Sequence, residues 1–127
     1  MTELIEHETF ASDRSAFQYS DHGVYRFCMF ESFAADGPHV GATYIDCAFS
    51  SVDMYWAFFN CAILVSCTFE DCVFRGASFA GCRIIDCRFV RCRFIADSVG
   101  GSCTSSDTRW YGCAVTECEG WDELQKE

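Results

Sequence analysis

From Cys67 the chain divides into consecutive groups of five without a gap: CTFED, CVFRG, ASFAG, CRIID, CRFVR, CRFIA. The third residue of each group is large and apolar: Phe69, Phe74, Phe79, Ile84, Phe89 and Phe94. The same frame runs upstream through Leu64, Phe59, Met54, Phe49 and Tyr44, and downstream to Val99. With about half of an ordinary chain apolar, twelve such centres in succession would arise by chance roughly once in several thousand frames. Two residues before each centre the side chain is small. Ala42, Cys47, Val52, Ala57, Ala62, Cys67, Cys72, Ala77, Cys82, Cys87 and Cys92 are all Ala, Val or Cys, and only Asp97 breaks the series. A period of five fits neither the 3.6 of an α-helix nor the 2 of a strand. It requires a backbone that turns a corner every five residues, with one large and one small side chain inward and three residues facing water.

That pattern, small–polar–Leu/Phe–polar–polar, resembles the pentapeptide-repeat family over about 42–99. The resemblance implies an all-β fold, a right-handed quadrilateral parallel β-helix (a solenoid) with four pentads, or twenty residues, per coil. Residues twenty apart should then stack at the inter-strand distance of about 4.8 Å. Cys47, Cys67 and Cys87 form one column; Val52, Cys72 and Cys92 a second; Ala57 and Ala77, topped by Asp97, a third; Ala42, Ala62 and Cys82 a fourth. The columns largely sort by residue type, which supports the twenty-residue coil independently of the family.

The frame fails at both ends. After Gly100-Gly101 a shift of one residue gives the centres Ser105, Trp110, Val115 and Gly120, a degraded coil. The tail from Trp121 has helical propensity and caps the open end. Upstream, Gly23–Tyr25 and Cys28–Phe30 fit a further frame, Phe10 and Phe17 suit an irregular first coil, and Asp36-Gly37-Pro38-His39 reads as a projecting loop. The expectation is one domain over 1–127, with irregular coils at 8–40, regular repeats at about 42–99, and a degraded coil and cap at 100–127. About five coils make a rod of roughly 25 Å.

The 11 cysteines admit two readings. A secreted disulfide framework is one. The number is odd, no secretory leader is read at the N-terminus, and the core suffices without staples, so reduced thiols in a cytoplasmic protein are favoured. No C-x2-C occurs, and the C-x4-C intervals, although within the C-x2-4-C spacing of zinc sites, are already explained by the repeat, which sets consecutive cysteines on different walls. Cys61 alone of the regular stretch falls at a corner. No cofactor, metal or catalytic residue is expected: His7, His22 and His39 are scattered, no phosphate loop or nucleophile motif is present, and a filled tube offers no cavity for a small substrate. No run of about 18 apolar residues predicts a membrane span.

Function is therefore expected on the outer walls, in a non-enzymatic protein–protein interaction module. The residues after the centres place Ile45, Val65 and Ile85 in an outward ladder, with Ile63 beside it and Tyr55, Trp56 and Phe58 nearby. Contiguous exposed apolar surface marks interaction sites. One reading makes these seven a docking wall, including one for a second copy of the chain. The other has the aromatics covered by corners or by the N-terminal segment. Nineteen acids against nine bases give a net charge of −10, which argues against direct nucleic-acid binding. The arginines Arg75, Arg83, Arg88, Arg91 and Arg93 form a basic belt within that acidity. Some pentapeptide-repeat proteins resemble B-form DNA in shape and charge, bind the type II topoisomerases DNA gyrase or topoisomerase IV, and protect them from quinolones. The resemblance thus implies an alternative role as a DNA mimic, which the acidity fits and the belt opposes.

Overall fold

The structure is a computed structural model and describes residues 3–17 and 23–125. The chain winds into a four-sided coil of parallel strands. The first wall holds six strands: Glu3–Glu6, Gly23–Arg26, Thr43–Ile45, Ile63–Val65, Arg83–Ile85 and Arg109–Tyr111. The second also holds six: Thr9–Phe10, Met29–Glu31, Ala48–Ser50, Thr68–Glu70, Arg88–Val90 and Ala114–Thr116. The third holds four: Ala34–Asp36, Asp53–Tyr55, Val73–Arg75 and Arg93–Ile95. The fourth is narrower, a series of single bridges from His39 through Phe58 and Ser78 to Thr104. The register Thr43↔Ile63↔Arg83 confirms the twenty-residue coil.

The corners come from one backbone device. Asp46, Ser51, Trp56, Cys61, Ser66 and Asp71 all have φ between 53° and 62°, the left-handed region. A side chain there costs about 1–2 kcal/mol. The N–H of each corner residue donates to a carbonyl on the next coil, as in Asp46 to Val65 and Ser66 to Ile85. The polar backbone is thereby satisfied at the bends as well as in the walls.

Inside, every regular centre from Tyr44 to Phe94 is buried, and so is every small residue from Ala42 to Cys92. Phe30, Phe49, Phe69 and Phe89 stack with centroids 4.4, 4.5 and 4.9 Å apart and rings nearly parallel. Between walls the rings meet edge-on, as Phe69 does Phe74 at 5.8 Å. Each such side chain contributes roughly 1.5–3 kcal/mol of burial, and no coil closes its core without its neighbours.

The structure departs from the sequence expectations in three places. Asp36-Gly37-Pro38-His39 does not project. Gly37 N–H donates to Tyr55 at 2.7 Å, Pro38 C=O accepts from Phe58 at 2.9 Å, and His39 bridges Phe58, so the segment is an ordinary corner and wall. The frame slips because the next corner is one residue short: His39 pairs nineteen residues on, with Phe58, whereas Thr43 pairs twenty on, with Ile63. Gly41 stands where the next coil has Asn60 and Cys61. Val99 is not an inward centre but 81% exposed. Ile84 pairs with Trp110, twenty-six residues on rather than twenty, so six residues are inserted around 96–102. The third column of small residues is consequently continued by Cys103, whose neighbour Thr104 pairs with Ser78, and not by Asp97.

The ends are covered as expected. Phe10 and Phe17 pack on Phe30 at 5.0 and 5.9 Å. The short helix Trp121–Leu124 lays Trp121 against Phe89, Phe94 and Trp110, buries Leu124, and accepts a hydrogen bond from Ser105 Oγ at its carbonyl, 2.7 Å away. His22 lies outside the described residues.

The filled core makes a direct prediction. Phe69→Ala should lower unfolding free energy in a urea titration by about 3–5 kcal/mol. A loss below about 1 kcal/mol would mean that the ring is not part of a close-packed stack.

Candidate interaction surface

With the interior filled, the surface is organised in columns. On the first wall the residues before the centres are Leu4, Val24, Thr43, Ile63, Arg83 and Arg109; those after are Glu6, Arg26, Ile45, Val65, Ile85 and Tyr111. The register stacks Ile45, Val65 and Ile85 directly, as the sequence predicts. Ile63 is 40% and Tyr111 52% exposed, and the three ladder residues are half-buried. The middle of this wall is apolar, with charge at both ends.

The seven residues singled out from sequence do not share one wall. Ile45, Ile63, Val65 and Ile85 lie on the first. Tyr55 is on the third, Trp56 at the corner after it, and Phe58 on the fourth, where its ring stacks on His39 at 5.4 Å. This corner is diagonally opposite the one that the ladder adjoins. Adjacency in sequence suggested a single patch, but each five-residue step rotates the chain through a right angle.

The aromatic corner is engaged by the chain itself, through the six-residue insert and not the N-terminal segment. Trp56 Nε1 donates to Asp97 Oδ2 at 2.6 Å. Asp97 Oδ1 accepts from the N–H of Val99 at 2.9 Å and of Gly101 at 2.7 Å, and Asp97 N–H donates to Gly101 C=O. Ser98 N–H donates to Tyr55 Oη at 3.2 Å, and the two hydroxyls are hydrogen-bonded. Gly76 permits this approach: a Cβ there would lie 2.9 Å from Asp97 Oδ2 and 3.1 Å from Trp56 Cδ1. Asp97 therefore latches a short finger that presents Val99 at its tip. The indole N–H, followed by the backbone donors, holds its carboxyl below the usual carboxylate range. A frame shift of six cannot be told from a shift of one when the period is five, so the sequence hid this loop.

The arginine belt wraps three walls and is partly neutralised. Arg75 pairs with Asp53 at 3.2 Å, Arg93 with Glu119 at 3.5 Å, and Arg91 with both Glu70 and Asp71 at 2.8 Å. All of these pairs lie on the second and third walls or the corner between them. Exposed pairs contribute little stability, but they remove four carboxylates from the acidic surface on that side. Among the described residues, Arg83, Arg88 and Arg109 have no carboxylate within ion-pair distance.

The thiols face inward. Cys67 Sγ donates to Tyr44 C=O at 3.3 Å, Cys92 Sγ to Phe69 C=O at 3.2 Å, and Cys103 Sγ to Phe74 C=O at 3.3 Å, each reaching the coil beneath. Burial pushes the Cys82 thiol up to about 12, and that of Cys103 also upward, so both stay protonated and unreactive at neutral pH. Cys61 is the exposed corner thiol that the frame predicts. No group of three or more His, Cys, Asp or Glu side chains that could hold a metal is present among the described residues. No helix there is long and apolar enough to cross a membrane.

The sequence pattern described as pentapeptide repeats matches residues 59–94, in 8 copies. No curated protein matches the chain. Among solved structures, the full-length QnrB1, described as a plasmid-mediated fluoroquinolone resistance protein, superposes with a TM-score of 0.62 at 18% identity. The match covers 93% of this chain and 71% of that one. A trypsin-treated variant of the same protein gives a TM-score of 0.57 at 21% identity, covering 93% and 68%. These likenesses establish the coil architecture.

The latch yields a pH prediction. A carboxyl lower in the folded than in the unfolded state adds stability above its ordinary value of about 4 and loses it as pH falls through the folded value. The finger should be held at neutral pH and released in acid. Asp97→Ala should release it at neutral pH, seen as faster amide exchange at Val99 and Gly101 with the thermal melt of the coils unchanged. Unaltered exchange at both amides would show that Asp97 does not hold the loop.

Proposed function

Since the chain is a pentapeptide-repeat β-helix, we propose that it is a non-enzymatic protein–protein interaction module working through its outer walls, with the first wall as the docking face. The observation that carries this reading is the ladder Ile45–Val65–Ile85, flanked by the exposed Ile63, on a molecule of net charge −10. Apolar surface kept in register over three coils costs solubility and has no part in the core, which is complete without it. Repeat proteins of this kind are generally non-catalytic. The packed interior supports the same conclusion, because a reaction needs a concave site that excludes water.

A second reading, a DNA-mimicking protector of a type II topoisomerase, draws on the overall acidity and on the fold shared with a fluoroquinolone resistance protein. The ion pairs of Arg75, Arg91 and Arg93 weigh against it, because they interrupt the acidic potential along the second and third walls.

Two experiments test these readings. A photo-crosslinking residue placed at Ile63 or Tyr111 in the full chain, expressed in its native cell, should give discrete protein adducts that the same residue at Asn60 or Ser78 does not. Equal labelling from the first and fourth walls would contradict the first reading. The second predicts that adding the protein raises the quinolone concentration needed to block gyrase supercoiling; an unchanged inhibition curve would remove it.

A further inference from the structure

The charges at the two ends of the first wall, together with its apolar middle, identify the partner. Its lower end carries Glu6, paired with Arg26 at 3.3 Å, and Glu3, which stands two residues before the centre Ile5 but is exposed on the terminal strand. Its upper end carries Arg83 and Arg109, stacked on adjacent coils and, among the described residues, with no carboxylate at ion-pair distance. Two like charges in neighbouring strands oppose each other, so this pair invites an external anion.

We propose that the first wall docks on the first wall of a second copy of this chain, with the two rods antiparallel. The proposal rests on reading that wall as the docking face. A two-fold axis in the plane of the interface can run along the rods or across them. If it runs along them, each coil faces the same coil of its partner. Arg83 and Arg109 then meet the partner's arginines, and Glu3 and Glu6 its glutamates. If it runs across them, the order of coils reverses. The six strands then meet first to sixth, second to fifth and third to fourth. Arg109 then lies over Leu4, within side-chain reach of the flanking Glu3 and Glu6 of the second copy. Tyr111 opposes Glu6, Arg83 opposes Val24, Ile85 meets the stem of Arg26, and Ile45 packs on Val65 at the axis. Both arrangements join the apolar middles, but only the antiparallel one brings the arginine end of each copy to the glutamate end of the other.

The area suffices. The molecule exposes 6523 Å² over four walls and two ends. One wall therefore offers on the order of 1,000 Å², above the roughly 800 Å² per partner of a stable interface. Nearest the axis stand the half-buried Ile45 and Val65, with the exposed Ile63 and the half-buried Thr43 beside them.

The test uses the full chain in sedimentation equilibrium, with circular dichroism melts to confirm folding. The wild type should dimerise. Val65→Glu should weaken association by about tenfold or more, whereas Ser78→Glu on the fourth wall should not. The Arg83→Glu/Arg109→Glu and Glu3→Lys/Glu6→Lys variants should each be monomeric alone and should form a heterodimer when mixed, because reversal of both ends restores complementarity. This exchange needs no change at Val65, so it decides the matter even if Val65→Glu fails to fold. A wild-type chain that stays monomeric at its highest soluble concentration overturns the inference. So does a dimer indifferent to Val65→Glu, or charge variants that do not rescue each other. In the monomer case, protein adducts from Ile63 and Tyr111 would still uphold the docking face with a different partner, and their absence would end both.

Discussion

A residue in the left-handed conformation at every fifth position from Asp46 to Arg91 is the constraint on which the molecule depends. Most of these corners are not glycine: Asp46, Trp56, Cys61 and Asp71 all occupy a backbone region that is unfavourable for side chains. They are tolerated because each corner N–H finds a carbonyl on the adjacent coil and each turn drives a large side chain into the axis. The strain is local, whereas its compensation is shared between coils. Coils therefore fold as a stack around an interior of large aromatic and aliphatic side chains with small Ala, Val and Cys between them.

A filled axis moves function outward and arranges it in columns. Every surface residue has a neighbour of the same phase directly above and below, so a run of aliphatics or a reversal of charge becomes a feature of a whole wall. The first wall shows this, with Glu3 and the Glu6–Arg26 pair at one end, Arg83 and Arg109 at the other and mostly aliphatic side chains between. Where the period breaks, the surface gains something the repeat cannot supply. The short corner at Gly41 is absorbed without consequence, but the insert at 96–102 becomes a finger pinned by Asp97 to Trp56. The aromatic corner thus braces that loop while Trp56 and Phe58 stay 44% and 40% exposed, and the half-buried aliphatic ladder lies on a separate wall beside the exposed Ile63.

Much of this was legible in the residues. A phase-locked series of Phe, Leu and Ile with Ala and Cys two places earlier has few solutions, and the sequence alone predicts the coil, its twenty-residue register and the inward thiols. The same reasoning placed Ile45, Val65 and Ile85 in one ladder. It failed where the repeat carries no phase information. Inserting six residues leaves the same remainder as inserting one, so Val99 looked like a core residue. Deleting one at Gly41 made the preceding Asp-Gly-Pro-His segment look like a loop. Grouping Tyr55, Trp56 and Phe58 with the ladder failed for a different reason: in a square coil, nearness along the chain separates residues onto different walls.

Small-angle X-ray scattering over a concentration series tests the central claim, a solid square rod whose aliphatic wall is its docking face, most directly. The account predicts that the cross-section of the particle grows as concentration rises while its length stays that of one rod. A particle that lengthens at constant cross-section, or one whose dimensions never depart from a single rod, would contradict it.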